Sequence, residues 1–589
     1  MTNMRKMETE DRRGLDRVVF QKAYVMSSSF SCQVCVVGFI FGVGLTSLVF
    51  AALTSFVRFD LDSVQFHHIA ASVVPWNSET AISNTSRDNS SNLETEKREV
   101  FVNPSEKTRC CDKEKVSSLV SAWSSLLNET QDSSMSSRLN VPKAPHLEDC
   151  KARGRMNKRL DTLVGNERFP PWTLWRGSLD PYSEKSKDEQ LHKFRHQHMS
   201  EGAYPPWITG SDDENYPLTR KVQRDIWLHQ HPQNCRDPKI KFLVSDFERN
   251  PGLGMGAQIS GMCGVLAIAL AEKRVLVTKY YNRADHDGCK GASRGSWSCY
   301  FLPETSQECR DRAFELMQQK EAWDTGIIKT KETYSSKEIW KADVPTNWGT
   351  PWSYLQPTTE VNGSFFAFHR RMERRWWLAQ VVRYLMRFPS EHTCHLMNVE
   401  RHSAFGKEAA EMVLASLKGE WSKDDLEQPE SEIEKYVWWN HKPWIPRPLL
   451  SVHVRMGDKA REMQLVQFDG YMALADRIRK QFPDVKNIWL STEMEEVVNM
   501  TSNYIPEGWK FYYSNVKRQV GNTRMATYEA SLGRKTSTEN PLVNYLMASD
   551  ADYYIGALGS TWCHLIDGMR NTGGKVMAGY LSVNKDRFW

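Results

Sequence analysis

Leu449-Leu450-Ser451-Val452-His453-Val454-Arg455-Met456-Gly457-Asp458-Lys459-Ala460-Arg461-Glu462 is the stretch on which the reading of this chain turns. Its first six residues are apolar and β-branched, the composition of a strand buried on both faces of a parallel sheet. The run then breaks into Arg455, Gly457, Asp458, Lys459, Arg461 and Glu462. In an open α/β sheet, ligands bind just beyond the carboxyl ends of the strands, so these charges stand where chemistry is expected. Cations at that place can hold a diphosphate, and Glu462 can take a proton. The plain alternative is a solvated loop with a structural ion pair.

Outward from this stretch, strands and helices alternate. A helix near Asp469–Gln481 leads to a strand at Asn487–Ser491, and a helix from Glu493 leads to a strand at Lys510–Tyr513. A helix around Leu542–Ala548 precedes a strand at Asp552–Ala557, and Gly559-Ser560-Thr561 opens a further helix running to Arg570. Such spacing predicts a doubly wound parallel sheet. Toward the N-terminus a second block shows the same texture. Lys241–Asp246 (KFLVSD) reads as a strand, Asn250–Gly256 (NPGLGMG) as a turn, Ala257–Ala271 as a helix and Val275–Thr278 as a strand. Glu373–Arg387 is an amphipathic helix burying Trp376, Trp377, Val381, Leu385 and Met386. Residues 391–445 are charged and mixed, with helix around Glu408–Leu417. The expectation is two facing α/β halves, 231–390 and 391–589, with a cleft between them.

The rest of the chain suits an enclosed compartment. No residue from Ala23 to Val57 is charged, and about 20 apolar residues suffice to cross a bilayer as a helix. Six basic residues precede that run, whereas only Arg58 is basic from Val57 to Ser86. Positive charge marks the cytosolic side. We therefore expect a cytosolic tail (1–30), a signal-anchor span (31–56) and a luminal remainder. Gly38 and Gly42 have the GxxxG spacing that permits helix pairing, hence a dimer. Residues 57–145 are polar, carry sequons at Asn84, Asn89 and Asn128, and read as a flexible stem. Residues 146–230 form a transitional segment packed on the catalytic region. Anchor, stem and distal domain together predict a single-pass type II protein of the Golgi membrane.

At 589 residues the chain is long enough for two to four units. Its +5 charge comes from 77 basic against 72 acidic residues, with no long basic block, so a nucleic-acid partner has no support. Cys235, Cys289, Cys299 and Cys309 can form two disulfides in an oxidising lumen, with connectivity open. Their spacing is not that of a zinc site.

Four loops would meet in the cleft: Gly252-Leu253-Gly254-Met255-Gly256, the Arg455–Glu462 stretch, Ser491-Thr492-Glu493 and Gly559-Ser560-Thr561. Glycines let backbone approach a phosphate, and helix starts favour anions. Each loop alone is more often structural than functional. At the carboxyl ends of successive strands, together, they describe a nucleotide-diphosphate pocket.

The pattern HVRxxDK at His453–Lys459, then STE at Ser491–Glu493 and DYYIGALGSTWC at Asp552–Cys563, resembles the α1,6-fucosyltransferases, core and bacterial nodulation enzymes among them. GLGMGAQ after LVSD and the helix WWLAQVVRYLMR are similar to that family's glycine turn and inter-domain helix. The resemblance covers roughly Lys221 to Val583. It implies a GT-B-like fold of two Rossmann-like domains and inverting transfer of fucose from GDP-fucose to a glycan or glycoprotein acceptor. No metal or other cofactor is implied. It further implies that Arg455 holds the β-phosphate, that His453, the motif Lys459 and Ser560 stand at the donor, and that Gly254 and Gly256 are backbone contacts. Arg455 and Lys459 would act as catalytic cations, and the four loops themselves add Asp458, Thr492, Glu493 and Thr561 as candidate substrate contacts. Glu462 is the nearest match to the catalytic base, one residue closer to the histidine than in the family. Cys235 and Cys309 stand where the family places a disulfide. Met456 replaces a second arginine, and Asn544 occupies the position of the acid that reads the base.

Three rival readings remain at this stage. One is a protein O-fucosyltransferase or another nucleotide-sugar transferase, another a non-catalytic luminal glycan-binding protein. The third is a metal-dependent enzyme using Asp550-Ala551-Asp552 or Asp212-Asp213.

Overall fold

The structure is a computed structural model, which describes residues 104–128, 141–166, 169–173, 217–248, 254–341, 345, 348, 359–361, 364–365, 372–416, 443–572 and 580–584. The expected tail and membrane span lie outside the described residues. Among the described residues no helix is long and apolar enough to cross a membrane.

Among the described residues ten strands form two sheets. The smaller holds β1 (Lys241–Phe247), β2 (Arg274–Tyr281) and β3 (Ile328–Thr330) in the order β2-β1-β3, all parallel. The larger holds β4 (Thr359–Val361), β5 (Ser364–Phe365), β6 (Leu449–Val454), β7 (Asn487–Thr492), β8 (Lys510–Tyr512), β9 (Tyr553–Gly556) and β10 (Tyr580–Ser582). Its order is β5-β4-β10-β9-β6-β7-β8, parallel except for the β4–β5 pair. Every residue of β6 is buried, Ser451 and His453 included, as expected of a central strand covered on both faces.

The winding reverses in both sheets. From β6 the chain builds one way through β7 and β8, then the other way through β9 and β10, so β6 and β9 flank a switch point. In the smaller sheet β1 lies between its two successors and plays the same part. Ligand crevices form at such points because the connections leave the strand ends in opposite directions. Register aligns the rims: Val454 pairs with Thr492, and Val452 with Ile555.

The helix Met372–Leu385 ties the two sheets together. Trp377 donates to the carbonyl of Cys263 in the helix Met255–Ala271 (3.2 Å), and Arg383 donates to that of Met569 in the helix Thr561–Asn571 (2.6 Å). Arg375 adds an ion pair to Asp567 at 2.7 Å. One apolar core, running from Leu243 through Trp376 and Trp377 to Met569, includes residues of both halves.

Several expectations need correction. The Trp376 helix is not amphipathic, because Gln380, Val382, Arg383 and Tyr384 are buried along with the expected set. A helix wedged between two layers has no solvent face, and its polar groups are spent on neighbouring helices. The mixed 391–445 segment begins as one continuous helix, Glu391–Ser416. The helix expected around Leu542–Ala548 starts at Met525 and is broken at Gly533, whose φ of 74° only glycine adopts readily. The 57–145 stem is not flexible throughout. Pro104–Asn128 is helical, and its Leu119 and Trp123 are buried against Ala409, Ala410 and Val413. Sequence reading missed that apolar pair because it sits in a serine-rich surround.

Among the described residues three disulfides link Cys235 to Cys309, Cys289 to Cys299, and Cys150 to Cys394. The last closes a span of 244 residues and fastens the transitional segment to the Glu391 helix, a pairing with no local signature.

The docking of the N-terminal helix should be acid-sensitive. His146 is fully buried, stacked on His402 with ring centroids 5.2 Å apart and edge-on to Trp123. Burial, with His402 and Arg401 nearby, lowers its pKa from 6.5 to about 3. Burial likewise lowers His231, stacked on Trp227, to about 4 despite Asp161. The unfolded chain takes up these protons below its own pKa of 6.5 while the folded chain resists, so stability is complete above pH 6.5 and falls as pH drops toward 4 and 3. Urea unfolding at pH 5 should show a loss on the order of 2–4 kcal/mol relative to pH 7.5, at about 1.4 kcal/mol per pH unit per group. Equal stability at the two values would contradict this burial.

Candidate functional site

A cavity of about 470 Å³ opens where the switch points of both sheets face each other, a size usual for small-ligand sites. Arg455, Lys459, Glu462, His453, Asp458, Gly254, Gly256, Thr492, Glu493, Asn544, Ser560 and Thr561 all line it. The structure thus brings together every site residue expected from sequence. Of the turn that carries Gly254, residues 250–253 lie outside the described residues.

Two helix N-termini converge on the cavity, one from each half. Gly254 caps the helix Met255–Ala271 and Ser560 caps Thr561–Asn571, neither with a side-chain hydrogen bond to the first turn. Backbone N–H groups at such ends, with the helix dipole behind them, form a seat for an anion. The two ends are close: a Cβ on Gly256 would lie 3.2 Å from the Trp562 ring.

Arg455 leaves β6 into a ring of acids. Its Nη1 donates to Glu493 Oε1 and, at 2.8 Å, to the carbonyl of Met456, while Nη2 donates to Asp458 Oδ1 at 2.7 Å. Glu493 also accepts the Met456 N–H at 3.0 Å, so one buried carboxylate fixes both the guanidinium and the loop. Burial disfavours the charge on Arg455, but Glu493 and Asp458 outweigh it and raise its pKa. Burial of Asp458 is likewise outweighed, by the Met525 N–H and Arg455, and its carboxyl is held below the usual range. Lys459 is ion-paired with Glu462, whose side chain is 56% exposed at the rim.

This changes the electrostatic picture. The charged lining is Arg455 and Lys459 against Asp458, Glu462, Glu493 and Glu529, two cations and four carboxylates, a formal −2. The expected positive notch is therefore not made by side chains alone. The two helix ends, each equivalent to roughly +0.5 charge, offset only about half of this, so an anion is drawn to the amides at Gly254 and Ser560 and to Arg455 and Lys459 locally, not by the cavity's summed charge.

His453 lies level with Ser491 in the β6–β7 register, and its Nδ1 is 3.1 Å from the Cys563 thiol. Burial pushes that thiol's pKa up, but His453 beside it brings it to about 7. The pair fixes the imidazole at the cavity floor. Asn544 accepts from Ser491 Oγ at 3.0 Å and donates to Ser514 Oγ at 3.0 Å.

Sequence reasoning missed Trp340, Tyr528, Glu529, Asn540 and Trp562, which also line the cavity. Trp562 stands inside the DYYIGALGSTWC motif, so it was within reach. Trp340 arrives on the short helix Ser336–Lys341, which rests on Gly264 so closely that a Cβ there would overlap the Ile339 carbonyl. Nothing local announces that contact. Glu529 comes from the unrecognised start of the kinked helix and pairs with Arg283 of the first half at 3.1 Å.

Asp550 and Asp552, weighed above as a metal motif, are buried and bound instead. Asp552 accepts the Leu449 N–H at 2.8 Å and pairs with Arg447, as does Asp550 at 3.6 Å. Neither lines the cavity. Among the described residues one cluster has metal-ligand spacing, Cys289, Cys299 and His392, and its two sulfurs are joined in a disulfide. Asp212 and Asp213 lie outside the described residues.

Fold and site together define an α/β protein with largely parallel sheets and a charged crevice at the carboxyl ends of their strands. No family model and no curated protein matches the sequence. Among solved structures, it is similar to NodZ α1,6-fucosyltransferase soaked with GDP-fucose, at 12% identity and a TM-score of 0.27 over 56% of this chain and 93% of that one. A mutant of Arabidopsis thaliana FUT1 in complex with GDP matches at 13% identity and 0.26, over 68% and 84%. POFUT1 in complex with GDP-fucose matches at 10% identity and 0.24, over 57% and 95%. Overlaps this small carry no argument, and the functional reading rests on the chain's own site.

Proposed function

We propose that this chain is a glycosyltransferase that moves fucose from GDP-fucose to a glycan or glycoprotein acceptor with inversion. The observation that carries the reading is the convergence on one cavity of both switch points, two uncapped helix starts and every residue the motifs singled out. The choice of donor comes from the motif resemblance. Arg455, Lys459 and the helix starts at Gly254 and Ser560 would receive the diphosphate and stabilise it as it leaves. Arg455 is already oriented by Glu493 and Asp458, so little reorganisation accompanies binding. Asn544, held by two serines, would face the base, and Trp340, Tyr528 and Trp562 offer faces for stacking.

Inversion requires a base under the acceptor hydroxyl, on the side opposite the leaving group. Glu462 is our candidate: it lines the cavity with a half-exposed side chain where an acceptor could arrive, and its ion pair with Lys459 aims the carboxylate. No metal enters this scheme, and transfer should survive EDTA. The remaining features proposed, a signal-anchored type II Golgi protein with a luminal catalytic domain, able to dimerise, follow from the sequence.

The test is to offer the protein GDP-fucose, GDP-mannose and UDP-sugars separately and measure transfer or hydrolysis. GDP-fucose alone should be consumed. Glu462→Gln should lower kcat by about 10²- to 10⁴-fold, the usual size of a general-base contribution, while GDP affinity changes little. GDP binding with no turnover, unaffected by that substitution, would instead support the non-catalytic reading.

A further inference from the structure

Beside the main cavity is a second hollow of about 260 Å³, lined by Asn282, Arg283, Arg534, Ser537 and Thr538. Ser537 lines both spaces, so the two adjoin. We propose that this hollow is an acceptor subsite that binds an anionic group, carboxylate or sulfate, of the acceptor saccharide. The proposal rests on the glycosyltransferase reading, because it takes the neighbouring cavity as the donor's.

Charge separates between the two spaces. The main cavity's side chains sum to −2, whereas the hollow is lined by two guanidinium groups and no carboxylate. The two arginines differ in what they have left to give. Arg283 is spent: Nε donates to Gln258 at 2.8 Å, Nη1 to the Ser537 carbonyl at 3.3 Å and Nη2 to Glu529 at 3.1 Å. Arg534 is half exposed and uses only Nη1, toward the Asp285 carbonyl at 2.9 Å and carboxylate at 3.1 Å. Its Nε and Nη2 have no partner among the described residues, and together they form the edge that grips a carboxylate or sulfate in a fork. The buried hydroxyls of Ser537 and Thr538 already donate to the Arg534 carbonyl, at 3.2 and 2.9 Å, so they keep only acceptor lone pairs for a sugar hydroxyl, beside the Asn282 amide.

The break at Gly533 sets this division. It separates Glu529, which lines the main cavity, from Arg534, which lines the hollow. The first half contributes Asn282 and Arg283, so a saccharide seated here would bridge both halves with one end at the donor.

Calorimetry on the full chain tests this, with GDP affinity measured first on each sample. A glucuronate-terminated trisaccharide, its neutral methyl ester and a sulfated counterpart are then added to the GDP complex. The wild type should bind a charged probe about tenfold or more tighter than the ester, the usual worth of a charge-assisted hydrogen bond. The uronate and sulfate arms distinguish which anion is preferred. Arg534→Ala should erase the preference and Arg534→Lys retain part of it, with GDP affinity unchanged in both. Equal or absent binding of charged and neutral probes by the wild type, or a preference that survives Arg534→Ala, would overturn the proposal. Failure to bind GDP would speak against the donor reading, not against the hollow's preference for anions.

Discussion

Arg455→Ala should cut turnover by about 10²- to 10³-fold and also destabilise the protein by about 3–5 kcal/mol, the usual result of removing one partner of a buried ion pair. Sequence alone suggests a catalytic cation whose loss leaves folding intact. The structure adds Glu493, with a side chain only 6% exposed, which would be stranded without its guanidinium. The functional loss comes from the missing donor to the departing diphosphate, about 10²- to 10³-fold in kcat for one preorganised group. A second variant separates the two effects. Arg455→Met with Glu493→Gln replaces both charges and keeps an acceptor for the Met456 N–H, so urea unfolding should show most of the stability restored. GDP binding should remain lost. Normal turnover by either variant would contradict the role given to Arg455.

Arg283→Ala should cost a similar amount, about 3–5 kcal/mol, for the same physical reason. Its side chain is 2% exposed and Glu529's is 8%, and the pair joins the first half to the kinked helix that walls the cavity. Removing the cation leaves Glu529 buried beside the donor space and frees the carbonyl of Ser537. We therefore expect a lower unfolding midpoint and faster amide exchange in Met525–Leu532 than elsewhere. Glu529→Gln, which keeps a hydrogen-bonding side chain, should be milder on both counts. Uniform exchange along the helix would show that the ion pair does not hold it.

The parts of the fold legible in the sequence were those whose signal is local. The strand at Leu449–Val454 is apolar except for Ser451 and His453, and the helix starts at Gly254 and Ser560 follow glycine and serine turns. What escaped depends on distant partners. Cys150 finds Cys394 across 244 residues. Trp123 finds a surface only once the Glu391–Ser416 helix is in place. β10 is three residues long, and β4 joins the larger sheet through it although it lies in the expected 231–390 half.

The site was legible as a set of positions, not as a charge balance. Each of Arg455, Asp458, Lys459, Glu462 and Glu493 could be named from motif order. That Glu493 and Asp458 both close on Arg455 depends on the register of β6 with β7, where Val454 meets Thr492. Glu529 could not be named, because a glycine at position 533 reads as the end of a helix rather than a bend within one.

The most direct measurement is a crystal structure of the protein grown with GDP. The account predicts density for the diphosphate between Arg455, Lys459 and the backbone amides after Ser560, with the base toward Asn544. Nucleotide bound outside this cavity, or an intact Arg455–Asp458 contact with the diphosphate absent at saturating GDP, would contradict it.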